Sequence, residues 1–561
     1  MWSGTGGIRA RARHWRLARR LLSGILPIGK FLLVGKLQAT PAGHASATTS
    51  EDHDDPFAFP AAPHPRACRR SGVLRGPPPG WPLPPHAPGA RFLPPAFLIP
   101  ERDIRHRSLP METTTASVGC GVHGARLDLA AYAHNFSDAH PPLTRPQALI
   151  EAERCYYCYE APCATACPTG IDVPSFIHRI AQGNERGAAR AILEANPLGG
   201  MCARVCPTEV LCEQACVRNV NEDKPVEIGA LQRYATDAHF AQPGAPLFTR
   251  SASTGRRVAV VGAGPAGLAC AHGLARRGHD VMLFDARPKL GGLNEYGLAS
   301  YKTTGGFAQK EIEWLLSIGG IEPRCGQVLG RDITLAGLLQ AYDAVFLGLG
   351  LAGVNALGIA EPQAEGLRNA VDFIADLRQA QDLSTLPVGC RVVVVGGGMT
   401  AVDAAVQAAK LGAEEVTMVY RRGQESMSAS LVEQQWAQTN GVTVRYWAAP
   451  KELLCEGGAV RGVRFAATAV RGGRLVETGE TFALEADMVL KAIGQSYLSE
   501  YAGAEVALSQ GRIATDADGR TSVPRVWAGG DCRAGGRDLT VEAVEHGKVA
   551  AVSIHEALLA A

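Results

Sequence analysis

The chain has 561 residues, is 46% hydrophobic, and carries a formal net charge of only +2. This length suits several domains of ordinary size, and the charge balance excludes the broad basic footprint of a nucleic-acid-binding protein. No stretch reaches the roughly 18 uninterrupted apolar residues of a membrane span, since the best candidate, Leu21–Leu37, is broken by Pro27, Lys30 and Lys36. Fifteen cysteines in so long a chain speak against a disulfide scaffold, which belongs to small secreted domains, and for metal chemistry in a reducing cytoplasm.

Residues 1–110 are rich in Arg and Pro and show no sustained period. Arg9, Arg11, Arg13, Arg16, Arg19 and Arg20 come without an early acid, as in a targeting segment, and Arg19-Arg20-Leu21-Leu22 resembles a twin-arginine signal. The same composition suits a disordered tail. The ordinary polar and apolar patterning that begins after Met111 favours a third reading, in which translation starts there and residues 1–110 are a spurious extension.

Residues 111–250 alternate short helical patterns with cysteine turns and are expected to form an α-helical domain. One amphipathic helix is predicted over Phe176–Leu193, with Phe176, Ile177, Ile180, Ala181, Ala188 and Ile192 on its apolar face. Eight cysteines lie between residues 155 and 216. The first run is Cys155-x2-Cys158-x4-Cys163-x3-Cys167-Pro168. The second is Cys206-Pro207-x4-Cys212-x3-Cys216, with Cys202 ahead of it. Thiolates at these spacings suit iron–sulfur clusters. Each cubane takes four ligands, so the count alone would make Cys202 the eighth of two clusters. Two zinc sites would show paired C-x2-C knuckles, and only Cys155 and Cys158 have that form.

The two runs, with Gly199-Gly200-Met201-Cys202 and Ile228-Gly229-Ala230-Leu231-Gln232, closely resemble dihydropyrimidine dehydrogenase, in particular its stand-alone bacterial NAD(P)H-oxidising subunits. The glutamate synthase small subunits are a related family of the same layout. The resemblance extends over about residues 115–561. It implies that Cys155, Cys158, Cys163 and Cys216 hold one [4Fe–4S] cluster, and that Cys167, Cys206, Cys212 and Gln232 hold the other. Cys202 then becomes a small core residue. Gln232 separates the two families, because the glutamate synthase relatives typically carry Glu there. A neutral amide in place of a thiolate changes cluster charge and potential.

Pro243–Thr254 reads as a linker. Next, the strand Arg257–Val261 leads into Gly262-x-Gly264-x-x-Gly267 and a helical pattern, and the following strand ends at Asp285. Glycines here allow a tight turn and close approach of a pyrophosphate to a helix N-terminus, while the acid suits a ribose hydroxyl. With Gly291-Gly292 the set reads as an FAD site. A second strand, Arg391–Val395, opens Gly396-x-Gly398-x-x-Ala401, and its partner strand ends in Arg421-Arg422 where an acid would favour a free ribose. These arginines lean to NADPH, although the resembled bacterial enzymes include NADH users. Near the C-terminus, Gly529-Gly530-Asp531 resembles the pair that binds a flavin's ribityl and phosphate region, and Thr540 opens the helix expected to approach the flavin ring. Tyr301 and Lys302 lie beside the flavin by resemblance, or on the surface.

The expected architecture is multidomain α + α/β. A helical iron–sulfur domain at 111–250 precedes two Rossmann-like dinucleotide-binding domains, the second inserted in the first: FAD at 251–350 and 482–561, NAD(P)H at 351–481. The resemblance implies an electron-input subunit that oxidises NAD(P)H through FAD and two [4Fe–4S] clusters. It carries no FMN barrel of its own, so a separate FMN-containing subunit is expected to reduce uracil or thymine. The alternative is a glutamate synthase small subunit. Hydride transfer needs no strong acid or base, so no catalytic residue is named.

Overall fold

The computed structural model describes residues 120–241, 244–501, 503 and 505–560. The targeting, tail and late-start readings of residues 1–110 lie outside them. Among the described residues, no helix is long and apolar enough to cross a membrane.

Helices fill the region from Leu129 to Ala241. The one predicted over Phe176–Leu193 is in fact two, Val173–Ala181 and Glu185–Ala195. Gly183 breaks the chain with a left-handed φ of 66°, and the Asn184 side chain caps the second helix by accepting from the Gly187 N–H at 2.8 Å. The apolar pattern runs on across the break because both helices bury one face in the same core. Phe176, Ile177, Ile180, Ala188 and Ile192 pack there with Ile228 and Leu231.

Beyond the linker, a parallel sheet takes the order Val526–Ala528, Ala344–Leu347, Arg257–Val261, Asp280–Asp285, Ile321–Cys325. Its three central strands are Val-, Leu- and Phe-rich because helices cover both faces. The edge strand Val526–Ala528 comes from the far end of the chain, so the intervening segment is inserted into this domain. That insertion builds a second parallel sheet, ordered Leu367–Asn369, Met488–Lys491, Arg391–Val395, Glu415–Val419, Val442–Arg445. Met488–Lys491 pairs with Arg391–Val395, so the second sheet reaches past the expected boundary at residue 481. A short apolar strand has no local mark that says which sheet it joins.

The sequence reading also missed an antiparallel meander, Ala448–Glu456, Ala459–Arg471 and Arg474–Glu485. Val460, Val463 and Phe465 from this meander pack on Val393, Val395 and Val489, covering one face of the second sheet.

Candidate redox site

The structure gathers the cysteines into two adjoining groups. Cys155 and Cys158 follow the helix Arg145–Glu153, Cys163 sits in the short helix Pro162–Ala166, and Cys216 ends the second run. All four line one cavity, closed by Val173, Ile177, Val226 and Ile228. Among the described residues, no carboxylate or imidazole lines it, which is a donor set for an iron–sulfur cluster rather than a hard cation. Burial pushes the Cys163 thiol up to about 11, with Cys155 and Cys216 adding to the rise. Burial also raises Cys155, against an N–H donated by Tyr157 at 3.4 Å. Such thiols stay protonated until a metal charge reverses the balance.

Cys167, Cys202 and Cys206 pack together beside Leu211, Leu539 and Val541. Cys206 is raised well above the usual thiol range, first by its contact with Cys202 and then by burial, with Cys212 and Cys167 contributing. Cys212 is raised by burial, Glu213, Cys167 and Cys163, in that order, so the two groups adjoin. Gln232 is buried, and its amide Nε2 donates to the Gly199 carbonyl at 2.7 Å, so its Oε1 is the atom that could serve as a ligand. Among the described residues, no three His, Cys, Asp or Glu side chains are arranged to hold a single metal ion.

The first dinucleotide loop lies at the carboxyl end of Arg257–Val261, where the strand order reverses. Gly262, Gly264 and Gly267 lead into the helix Pro265–Arg276. A Cβ on Gly267 would stand 1.8 Å from the Gly262 carbonyl oxygen, so only glycine fits. Gly264 faces Gly292 closely, and the Gly291 N–H donates to the Ala263 carbonyl at 2.9 Å, which joins the two glycine loops into one cradle. The Asp285 carboxylate is half-buried and accepts from the N–H groups of Ala263, at 2.7 Å, and Arg287, at 2.8 Å. It therefore shapes the loop at the end of the strand Asp280–Asp285. Gly530 follows the edge strand, and its N–H donates to His546 Nδ1 at 3.2 Å. Burial, with Asp538 and Glu542 adding and Arg512 opposing, pushes the Asp531 carboxyl up to about 6.

Gly396, Gly398 and Ala401 make the second loop, between Arg391–Val395 and the helix Met399–Lys410. A Cβ on Gly396 would meet the Ala492 carbonyl oxygen at 2.1 Å. Arg421 and Arg422 are exposed at the end of Glu415–Val419, tied only through their carbonyls to Thr468 Oγ1 and the Trp447 N–H. Their guanidinium groups make no ion pair among the described residues.

Helix Thr540–Ala560 connects the two halves of the site. Thr540 Oγ1 meets Asn294 Oδ1 at 3.1 Å beside the glycine cradle, Val541 packs against the second cysteine group, and Lys548 Nζ donates to the Thr169 carbonyl at 3.1 Å. Nothing in the local sequence pattern points to Glu311, a buried carboxyl that accepts from the N–H groups of Gly200, at 2.7 Å, and Met201, at 3.2 Å. It fixes the helix Gly199–Val205, which leads to Cys206, onto the first dinucleotide domain. Tyr301 and Lys302 are not surface residues. Tyr301 is fully buried, and the Lys302 ammonium lies 2.9 Å from Asp403 and 2.6 Å from Glu433. These partners are 101 and 131 positions away, hence invisible to local pattern.

Residues 256–547 match the family described as pyridine nucleotide-disulphide oxidoreductase, and residues 132–243 match dihydropyrimidine dehydrogenase domain II, 4Fe-4S cluster. The glutamate synthase [NADPH] small chain of Escherichia coli is 34% identical over 445 residues, spanning 75% of this chain and 93% of that one. The NAD-dependent dihydropyrimidine dehydrogenase subunit PreT of Salmonella typhimurium is 34% identical over 419 residues, 74% of this chain and 96% of that one. The E. coli putative oxidoreductase AegA is 34% identical over 455 residues, 76% and 68% of the two chains. Among solved structures, Mycobacterium tuberculosis FprA in complex with NADPH aligns with 54% of this chain and 85% of its own, at 18% identity and a TM-score of 0.48.

Fold, motifs and relatives define an NAD(P)H-dependent oxidoreductase that combines FAD with 4Fe-4S chemistry for electron transfer. The chain belongs to the family that contains the PreT subunits of dihydropyrimidine dehydrogenase and the glutamate synthase small chains.

Proposed function

We propose that the chain is the NAD(P)H-oxidising subunit of a dihydropyrimidine dehydrogenase, passing electrons through two clusters to an FMN-containing partner that reduces uracil or thymine. Helix Thr540–Ala560 carries this reading, because its first turn touches both the glycine cradle and the second cysteine group. Cys167 and Cys206 pack against that helix, so the cluster they would hold with Cys212 and Gln232 would be the nearer one to the cradle. The group of Cys155, Cys158, Cys163 and Cys216 then lies on the way out, beside the exposed side chains of Tyr156 and Tyr159. When bound, the flavin supplies the change from two-electron to one-electron transfer, and the clusters supply one-electron carriage.

The chain's own residues bind and orient. The backbone of Gly262, Gly264 and Gly292 approaches the pyrophosphate, Asp285 the ribose, and Asp531 with Gly530 the ribityl and phosphate region. Gly396, Gly398 and Ala401 seat the nicotinamide dinucleotide. The guanidinium groups of Arg421 and Arg422, without an ion pair among the described residues, favour a 2′-phosphate, hence NADPH. Buried Gln232 favours the dihydropyrimidine branch over the glutamate synthase branch, since a glutamate would bring an extra negative charge to the second cluster.

Reconstitution tests the choice. The purified chain is combined either with an FMN-containing pyrimidine-reducing subunit or with a glutamate synthase large subunit. The proposal expects uracil-dependent NADPH oxidation in the first mixture. Oxidation that depends on glutamine and 2-oxoglutarate in the second, with none in the first, overturns it.

A further inference from the structure

Two cysteines outside the cluster groups, Cys120 and Cys390, are 270 positions apart in sequence, yet their sulfurs lie 2.9 Å apart. The backbone around them is fixed by several independent bonds. His123 and Val388 exchange both backbone hydrogen bonds, at 3.1 and 3.0 Å, and the Cys390 N–H donates to the Gly121 carbonyl at 3.2 Å. Asp487 clamps both segments: Oδ2 accepts from the N–H groups of Gly121, at 2.9 Å, and Cys390, at 3.1 Å, while Oδ1 accepts from the Arg391 N–H at 2.9 Å. Arg126 Nε donates to the Val388 carbonyl at 3.0 Å, and its guanidinium also contacts the Gly121 carbonyl. The two thiols are thus presented to each other by a short antiparallel bridge. Cys390 is 1% exposed, whereas Cys120 is open to solvent.

We propose that Cys120 and Cys390 are a redox modification site, closing a reversible disulfide by exchange with a low-molecular-weight disulfide. The exposed Cys120 thiolate attacks one sulfur of that reagent, forming a mixed disulfide and expelling one small thiol. Cys390 then attacks the Cys120 sulfur. Its S–H proton passes to the neighbouring Glu414 carboxylate or to water, the Cys120–Cys390 bond forms, and a second small thiol leaves. Two electrons move from the protein dithiol to the reagent, which is reduced to two thiols.

Order of attack follows from the setting. Burial, the Cys120 thiol and Glu414 push the Cys390 thiol up to about 12, so Cys390 is the resolving sulfur. The bond would staple the segment entering the iron–sulfur domain to the start of the strand Arg391–Val395, which carries the Gly396–Ala401 loop. Cys532 is the internal contrast. It is fully buried, and its thiol is engaged by the carbonyls of Leu347, at 3.5 Å, and Gly529, at 3.3 Å, so it stays reduced.

The test uses the full chain with its clusters and flavin, incubated without oxygen with hydroxyethyl disulfide, while visible absorption reports that the clusters persist. Remaining thiols are alkylated and the digest is analysed by mass spectrometry. The expected product is a peptide pair joined through Cys120 and Cys390, lighter than the two thiol peptides by two hydrogens and released by dithiothreitol. In Cys390→Ser, Cys120 should stop at the hydroxyethyl adduct. Unfolding temperature should depend on reductant in the treated wild type and not in Cys120→Ser, a change at an exposed position. Recovery of Cys390 as the alkylated thiol from wild-type protein whose Cys120 carries the adduct overturns the proposal.

Discussion

Replacement of Glu311 by Gln should abolish much of a pH dependence of stability that the wild-type protein shows. The carboxyl of Glu311 has no exposed surface, and burial pushes it from 4.5 up to about 8, against the opposing N–H groups of Gly200 and Met201 and the charge of Arg204. Between these values the folded protein holds a proton that the unfolded chain has lost. The stabilising contribution is therefore complete below pH 4.5 and is lost as pH rises through about 8. Linkage gives a slope of about 1.4 kcal/mol per pH unit, so a loss on the order of 2 kcal/mol follows between roughly pH 6 and roughly pH 8. For a chain of several domains this amounts to a fall in apparent unfolding temperature on the order of 5 °C. A Gln amide keeps an oxygen for the same two N–H groups and cannot ionise. Differential scanning calorimetry of both proteins across that range should show the wild type falling relative to Glu311→Gln. Parallel curves would exclude a raised Glu311 carboxyl, because a carboxylate ionised at all these pH values in the folded state would leave the difference constant.

Other consequences can be tested individually. Cys216→Ser should remove one cluster and leave the second, so that iron falls from about eight to about four per chain by chemical analysis. Gly267→Ala should purify without flavin, because its Cβ would stand 1.8 Å from the Gly262 oxygen; the flavin absorbance of the protein as isolated reads this directly. Substituting Arg421 and Arg422 together with Ala should raise KM for NADPH about tenfold, the equivalent of about 1.4 kcal/mol, while KM for NADH stays near its original value. Gln232→Glu should retain iron but lower the midpoint potential of one cluster, measured by redox titration with electron paramagnetic resonance.

Features governed by local rules could be read from the sequence. A strand followed by closely spaced glycines has few conformations open to it, so Arg257–Val261 and Arg391–Val395 were placed correctly. The cysteines were legible as a redox centre because no ordinary core needs eight of them within so short a segment. What long-range pairing decides was hidden. Met488–Lys491 joins the second sheet, and Ala448–Glu485 folds into a meander, through partners that local periodicity cannot name. The split at Gly183 was masked because one continuous apolar phase serves two helices. Glu311 looked like an ordinary charged residue, and nothing near Lys302 in sequence named its partners; only the fold supplies the helix N-terminus and the two carboxylates that hold them.

The most direct test of an electron-input chain with two clusters is a single anaerobic experiment on the purified protein. Iron, sulfide and flavin are counted, and the sample is titrated with NADPH under spectroscopic observation. About eight irons and eight sulfides are expected for each flavin, with flavin bleaching followed by cluster reduction. About four irons per flavin, or a flavin that NADPH and NADH both leave oxidised, would contradict it.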